Sequence, residues 1–394
     1  MKIAIIGGGA AGMMAAATIS EKQSDAEVFL IERNPELGKK VMLTGGGRCN
    51  LTTGIPDLSL VLNRYPRGGK FLNSAMRNFP PEDVRNFFEE HGVGLKVEED
   101  MRVFPASDES RDVVDVFGRI FSKNNNVHVV LSRPVQEVSK QDSGFLLTCG
   151  GLKIEADKLI ITTGGKEGGG HDFAKYFGHH VSPLAPSLNA LVIKEEWTHE
   201  LAGVSIERAR LSVGKNSFVG PFVFTHKGVS GPAVFAISSM TAFDNPTQLT
   251  IDFAPDMTFP EFEAAFKKEV VDNPKKLFRN TASMFMPKSV ADVLCEREYL
   301  EKKHNGEISK GQMTKMIELI KHFPLTISGR VPGDEFVTAG GIYLDEINPR
   351  TMESKLCSGL YFAGEVLNID GVTGGFNLQA AWATGRLAGE SACE

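Results

Sequence analysis

The sequence predicts an α/β fold: a discontinuous Rossmann-type domain that carries an inserted antiparallel β domain and a helical domain. Three observations predict it. Short apolar runs alternate with helical patterns at the N-terminus. In the middle the apolar period shifts to two and then to helical spacing, and a strand–glycine–helix unit returns at the C-terminus. A chain of 394 residues allows two or three domains and a core that needs no disulfide or metal staple.

In chain order, KIAIIG, AGMMAAATIS and AEVFLIE form a βαβ pattern that opens a parallel sheet. From 187 to 252 the alternation in LNALVIKEEW, RARLSV and QLTIDFAP predicts an antiparallel unit. From 253 to 320 the chain is helical and rich in Lys and Glu. Thr258 with Glu261 and Ser309 with Gln312 have capping-box spacing, and Met313, Met316, Ile317 and Ile320 repeat as a core-facing stripe. After Pro324, LTISGRV and EFVTAGGIYL return to β. The predicted domains are 1–186 with 336–394, 187–252 with 321–335, and 253–320.

Composition removes several functions. Hydrophobic residues at 42% and charged residues at 23% exclude disordered, collagen-like and coiled-coil chains. The net charge of −6 disfavours a general nucleic-acid binder, although residues 32–77 form a basic stretch (Arg33, Lys39, Lys40, Arg48, Arg64, Arg67, Lys70, Arg77) suited to a phosphate-bearing ligand. Five scattered cysteines without a CxxC pair argue against a disulfide framework or a zinc site and for a reducing compartment. No metal site is expected. The apolar start is too short for a signal-peptide core and no run is long enough to span a membrane, so a cytoplasmic protein is expected.

The 41 glycines exceed an ordinary share, and their clusters carry the chemistry. Gly7-x-Gly9-x-x-Gly12 follows a strand and opens a helix. In that setting the first glycine makes the turn, the second admits a pyrophosphate, and the third lets helix pack on sheet. Glu32 stands 20 residues past Gly12, where an acid accepts from an adenosine ribose and would repel the 2′-phosphate of NADP. Three further segments select FAD over NAD. Gly38-Lys39-Lys40 precedes Thr44-Gly45-Gly46-Gly47-Arg48-Cys49-Asn50, a bare loop flanked by cations. LIITTGG ends a buried strand at Thr163 and Gly164. Finally, LYFAGE brings Gly364 and Glu365 to a strand end, suited to polyol hydroxyls. Asp370, Gly374, Gly375, Phe376 and Asn377 then open a helix whose positive end suits the pyrimidine side of a flavin.

GGGAAG, LTGGGRCNLT, TTGG, FTHKGVSGPAV, VTAGGI and TMESKLCSGLYFAGEVLNIDGVTGGFNLQAAWATG resemble the aminoacetone oxidase-like, BaiN-like family of NAD(P)/FAD-dependent flavoproteins over nearly the whole chain. The resemblance implies a discontinuous Rossmann-type FAD-binding domain with an inserted antiparallel β-barrel-like domain and a helical domain. It also implies FAD contacts at Ala11, Glu32, Arg33, Lys39, Lys40, around Thr44 to Asn50, at the backbone of Val135, and at Glu365, Asn377 and Leu378. The chain departs from the family in a short loop at Lys166 to His171, in Asn368 where an acid is common, and in Phe376 where Tyr is common. These departures bear on the substrate pocket.

No catalytic acid or base is assigned. Cys49 is expected to be a packed thiol, and Arg48 is open between an anionic substrate, the flavin edge and a phosphate. His226 and Lys227 precede Ser230, which is expected to cap a helix beginning at Pro232. His171, His179 and His180 are expected on the surface or in loops. The function expected is an oxidoreductase that moves a hydride between a small organic substrate and N5 of non-covalent FAD. It would be either amine-oxidase-like, with O2 as electron partner, or an NAD(P)H-linked reductase. A single GxGxxG leans towards the oxidase or towards transient docking of NAD(P)H. The alternatives are a flavin-dependent RNA-modifying protein that uses Arg33 to Arg77, and a non-catalytic FAD-binding regulator.

Overall fold

The computed structural model describes residues 1–22, 25–333 and 336–394. The predicted division at 335/336 touches residue 335, which lies outside the described residues. The chain forms two compact units, 1–185 with 337–394, and 186–336.

The first unit opens with β1 (Lys2–Ile6), α1 (Ala10–Lys22) and β2 (Glu27–Ile31), continues through α2 (Ser110–Lys123) and β3 (Val127–Val130), and reaches β4 (Lys158–Ile161). The second unit follows with β5 (Leu191–Ile193), β6 (Ser205–Val213), β7 (Asn216–Thr225), β8 (Gly228–Ser230), α3 (Pro232–Met240), β9 (Gln248–Asp252), α4 (Phe259–Asp272), α5 (Lys288–Arg297), α6 (Lys310–Lys321) and β10 (Phe323–Arg330). The chain then returns to the first unit with β11 (Leu360–Phe362) and α7 (Gly374–Ala392).

Among the described residues, the first unit's main sheet has five parallel strands in the order β11-β4-β1-β2-β3. β1 and β4 are buried along Ile3–Ile6 and Leu159–Ile161, which is why they read as unbroken apolar runs. α1 is alanine-rich, a strong helix former, and is buried from Ala10 to Ser20. It packs on α7 through small residues. A Cβ on Gly385 would collide with the backbone of Ala11, and one on Gly389 would lie 2.7 Å from Ala15 O.

In the second unit, among the described residues, β5-β8-β7-β6-β9-β10 close an antiparallel barrel. Barrel residues such as Leu211, Phe224, Ile251 and Phe323 share one core with Phe262, Phe266, Leu294, Met316 and Ile320 of the helices. Both expected capping boxes form, at Thr258/Glu261 and Ser309/Gln312. Ser230 does not cap α3. It ends β8, and Gly231 at φ +104 stands at the N-cap before Pro232, because the chain must turn sharply from strand into helix.

Candidate functional site

The glycine turn leaves β1 at the C-terminal edge of the first unit's sheet. Gly7 has φ +109, and a Cβ there would lie 2.5 Å from Thr162 O, so the turn needs a glycine for both conformation and space. The Thr162 hydroxyl, at the end of β4, lies 2.9 Å from Ile6 O and 2.8 Å from Gly7 O and donates there. A Cβ on Gly12 would collide with Gly7 O, whereas one on Gly9 would meet nothing within 4 Å. Gly9 therefore presents bare backbone at the start of α1. Glu32, buried just past β2, accepts from Gly8 N at 2.6 Å, from Asn34 N at 2.8 Å and from Asn34 Nδ2 at 2.6 Å. A carboxylate has about four acceptor positions, so one is left for a ribose hydroxyl. Arg133 N donates to Glu32 O at 3.0 Å, and Val135 follows on the same segment.

The other side of the candidate site is built from far-apart segments. Lys40 Nζ donates to Glu365 Oε2 at 2.8 Å, and Glu365 Oε1 accepts from Thr338 N at 2.8 Å. Lys39 is exposed beside it at the start of the same short helix. A Cβ on Gly364 would lie 2.9 Å from that of Ala11, and one on Gly164 would lie 3.6 Å from Glu365 Oε2. In the loop Thr44 to Gly47, Gly46 and Gly47 face open space. The Asn50 amide accepts from Gly375 N at 3.2 Å and donates to Thr52 O at 3.2 Å, which ties this loop to the first turn of α7. Thr373, at the N-cap of α7, offers no side-chain cap. Asn377 accepts from Gly371 N at 3.1 Å and donates to Gly371 O at 2.9 Å, and Tyr65 Oη donates to Phe376 O at 2.6 Å. Leu378 is buried behind them.

Several expected site residues are already paired or packed within the chain. Arg48 donates to Glu98 at 2.8 Å, lies 3.4 Å from Asp108, and stacks 3.9 Å over the Phe104 ring. The Asp370 carboxylate is fully buried against the Arg67 guanidinium and anchors the loop before α7. Cys49 is buried at φ +63, and burial pushes its thiol up to about 12, so it is a neutral packed group. Arg33 Nη1 donates to Glu167 O at 2.6 Å. His226 and Lys227 are exposed at the tip joining β7 and β8.

The histidine expectation needs correction, because His171 and His179 are buried and only His180 of the three is exposed. His171 Nε2 donates to Val366 O at 3.1 Å. His179 lies between Glu346 Oε2 at 2.9 Å and Ser354 Oγ at 2.8 Å. Burial lowers the pKa of both rings. Each is held by a partner far along the chain, which no local spacing reveals. Thr338 and Tyr65 were missed for that reason, whereas Thr162 stood visible beside Thr163 in LIITTGG.

These residues fit FAD. The backbone is bare at Gly9, Gly46 and Gly47, and the Thr163 hydroxyl is buried with no hydrogen-bond partner among the described residues. Among the described residues no cluster could hold a metal ion, and no helix is long and apolar enough to cross a membrane.

A family model described as the HI0933-like protein Rossmann domain matches residues 1–391. The chain is 30% identical to the 3-dehydro-bile acid delta(4,6)-reductase of Clostridium scindens, over 100% of this chain and 99% of the relative. It is 29% identical to the ribosomal RNA dihydrouridine synthase of Escherichia coli K12, over 96% of this chain and 95% of the relative. In fold it is similar to the 3-ketosteroid delta1-dehydrogenase of Sterolibacterium denitrificans, with TM-score 0.51 at 10% identity, over 99% of this chain and 98% of that one. A quinol–fumarate reductase matches with TM-score 0.50 at 14% identity, over 99% of this chain and 70% of that one.

Proposed function

The chain belongs to the HI0933-like family of FAD-binding flavoprotein oxidoreductases, and from that premise we propose that it reduces a carbon–carbon double bond conjugated to a carbonyl. The observation that supports the flavin half is that Gly7–Gly12, Glu32, Lys40, Asn50, Thr163, Glu365 and the start of α7 gather beyond the C-terminal ends of the parallel strands. The direction is supported by two relatives' names. One names a delta(4,6) reduction of a 3-oxo steroid acid, and the other names dihydrouridine, which is uridine without its ring double bond. In both, the double bond is conjugated to a carbonyl. That favours a reductase over the oxidase towards which a single GxGxxG leans.

When bound, FAD supplies a hydride at N5. Glu32 would accept from the adenosine ribose, and the N–H groups at Gly9 and the start of α1 would face the diphosphate. Lys40 and Glu365 would hold the polyol, and the start of α7 would place positive potential beside the pyrimidine edge. Neither Cys49, a neutral buried thiol, nor Arg48, paired with Glu98, is suited to move a proton.

The name of the E. coli relative favours a second reading, with uridine in RNA as the alkene. The stretch from Arg33 to Arg77 supports it weakly as a contact surface, because Lys40, Arg48 and Arg67 are spent on Glu365, Glu98 and Asp370. The test is anaerobic absorbance of the FAD-loaded protein. NADH or NADPH should bleach the flavin bands, and a 4-en-3-one steroid or a uridine-containing rRNA fragment should restore them. Bleaching by an amine but by neither nicotinamide would overturn the reductase. Restoration by RNA alone, with salt-dependent binding, would select the second reading.

A further inference from the structure

We propose that Arg33 and the glycine-rich segment 164–170 form a latch across the proposed dinucleotide site, which opens to admit FAD and closes to retain it. The proposal rests on the FAD reading of that site. β2, β1 and β4 are parallel neighbours in that order, so their C-terminal ends share one edge of the sheet. Arg33 follows β2, Glu167 follows β4, and the Gly7–Gly9 turn leaves β1 between them. Arg33 Nη1 nevertheless reaches Glu167 O at 2.6 Å. With strands about 4.8 Å apart, that link spans two strand spacings, roughly 10 Å, past the end of β1 where the diphosphate would lie. Arg33 holds the backbone of the segment. The Glu167 carboxylate is 91% exposed and stands 3.9 Å away, too loose to be the main tie.

The segment is shaped to lie down and to lift. Its ends are pinned by Lys166 N donating to Thr338 Oγ1 at 3.2 Å and by His171 donating to Val366 O at 3.1 Å. Between the pins, Gly169 has φ +74 with nothing within 4 Å of a Cβ, a conformation that glycine enters and leaves readily. A Cβ on Gly168 or Gly170 would collide with Thr163, so the closed segment rests directly on that residue. Beneath it, the Thr163 hydroxyl has no hydrogen-bond partner among the described residues. A buried hydroxyl left unpaired favours any state that gives it a partner, and lifting the segment does so. The short loop at Lys166 to His171 is thus long enough to reach Arg33 and too short to wander.

The test is stopped-flow flavin fluorescence, with association followed on mixing apoprotein with FAD and dissociation followed by dilution, for the unaltered chain, Arg33→Gln and Glu167→Ala. Arg33→Gln should raise both rate constants about fivefold, the worth of one hydrogen bond, and change Kd by less than about twofold. Glu167→Ala keeps the carbonyl and should match the unaltered chain. A rise in dissociation alone, with Kd weakened by the same factor, would show Arg33 to be a plain phosphate contact and overturn the latch. Equal rates in all three chains, or an effect of Glu167→Ala as large as that of Arg33→Gln, would also overturn it. Failure of the unaltered apoprotein to bind FAD would instead remove the FAD reading itself.

Discussion

Glu32 holds the glycine turn and, in the proposed complex, the ribose, so its carboxylate has two tasks. Glu32→Ala should weaken FAD binding about tenfold or more in a fluorescence titration, because it leaves Gly8 N unpaired and removes the ribose acceptor. Unchanged affinity would reject the assignment. His179 makes a different prediction at the same scale. Ser354 Oγ accepts from Leu356 N at 3.0 Å and from Cys357 N at 2.9 Å, so its hydroxyl donates to His179 Nε2, and Nδ1–H donates to Glu346. A second ring proton would have no acceptor, which agrees with the pKa lowered by burial. His171 is lowered for the same reason. The unfolded chain therefore binds protons that the folded chain refuses. Stability is fully present above the unfolded value near ~6.5 and falls as pH drops from there towards the lowered folded values. Urea midpoints between pH 5 and 8 should fall on the acid side, and His179→Gln should flatten that slope.

At the scale of elements, glycine means opposite things on two helices. On α7, Gly385 is where the backbone of α1 passes, and Gly385→Ala should cost about 1–3 kcal/mol in urea unfolding by overpacking. On α2, Gly118 is exposed with nothing within 4 Å of a Cβ, so Gly118→Ala should stabilise by about 0.5–1 kcal/mol through helix propensity. The same pair of measurements shows which glycines serve the fold. Apolar periodicity exposed the strands, α1, the capped helices and the stripe of Met316, Ile317 and Ile320, since each is encoded within a few turns of chain. Ser230 misled because a serine before proline has cap chemistry, while the strand pairing of β8 holds that serine in extended backbone.

At the scale of the whole molecule, the two units hold themselves together by separate means. In the second, Lys321 is buried at the end of α6 and donates to Asp252 Oδ2 at 2.8 Å, Ala254 O at 2.8 Å and Met257 O at 2.7 Å. Asp252→Asn would remove the carboxylate hydrogen-bonded to that buried ammonium and should destabilise this unit by about 3 kcal/mol, with FAD affinity unchanged. In calorimetry, FAD at about a hundred times Kd should stabilise the first unit by ~2.7 kcal/mol and leave the second unit's transition in place. Movement of both transitions would place cofactor contacts in both units. The amino-acid sequence by itself determined the local elements and the glycine turn with its acid, because Gly7, Gly9, Gly12 and Glu32 belong to one continuous βαβ unit. Only the tertiary structure decided the other side of the candidate site. Lys40 meets Glu365 across 325 positions, Arg67 closes on Asp370, and two histidines disappear into the interior, because a chain interrupted by a whole second unit brings its last strand back beside β4. Such pairings depend on strand order, which no local period or spacing records.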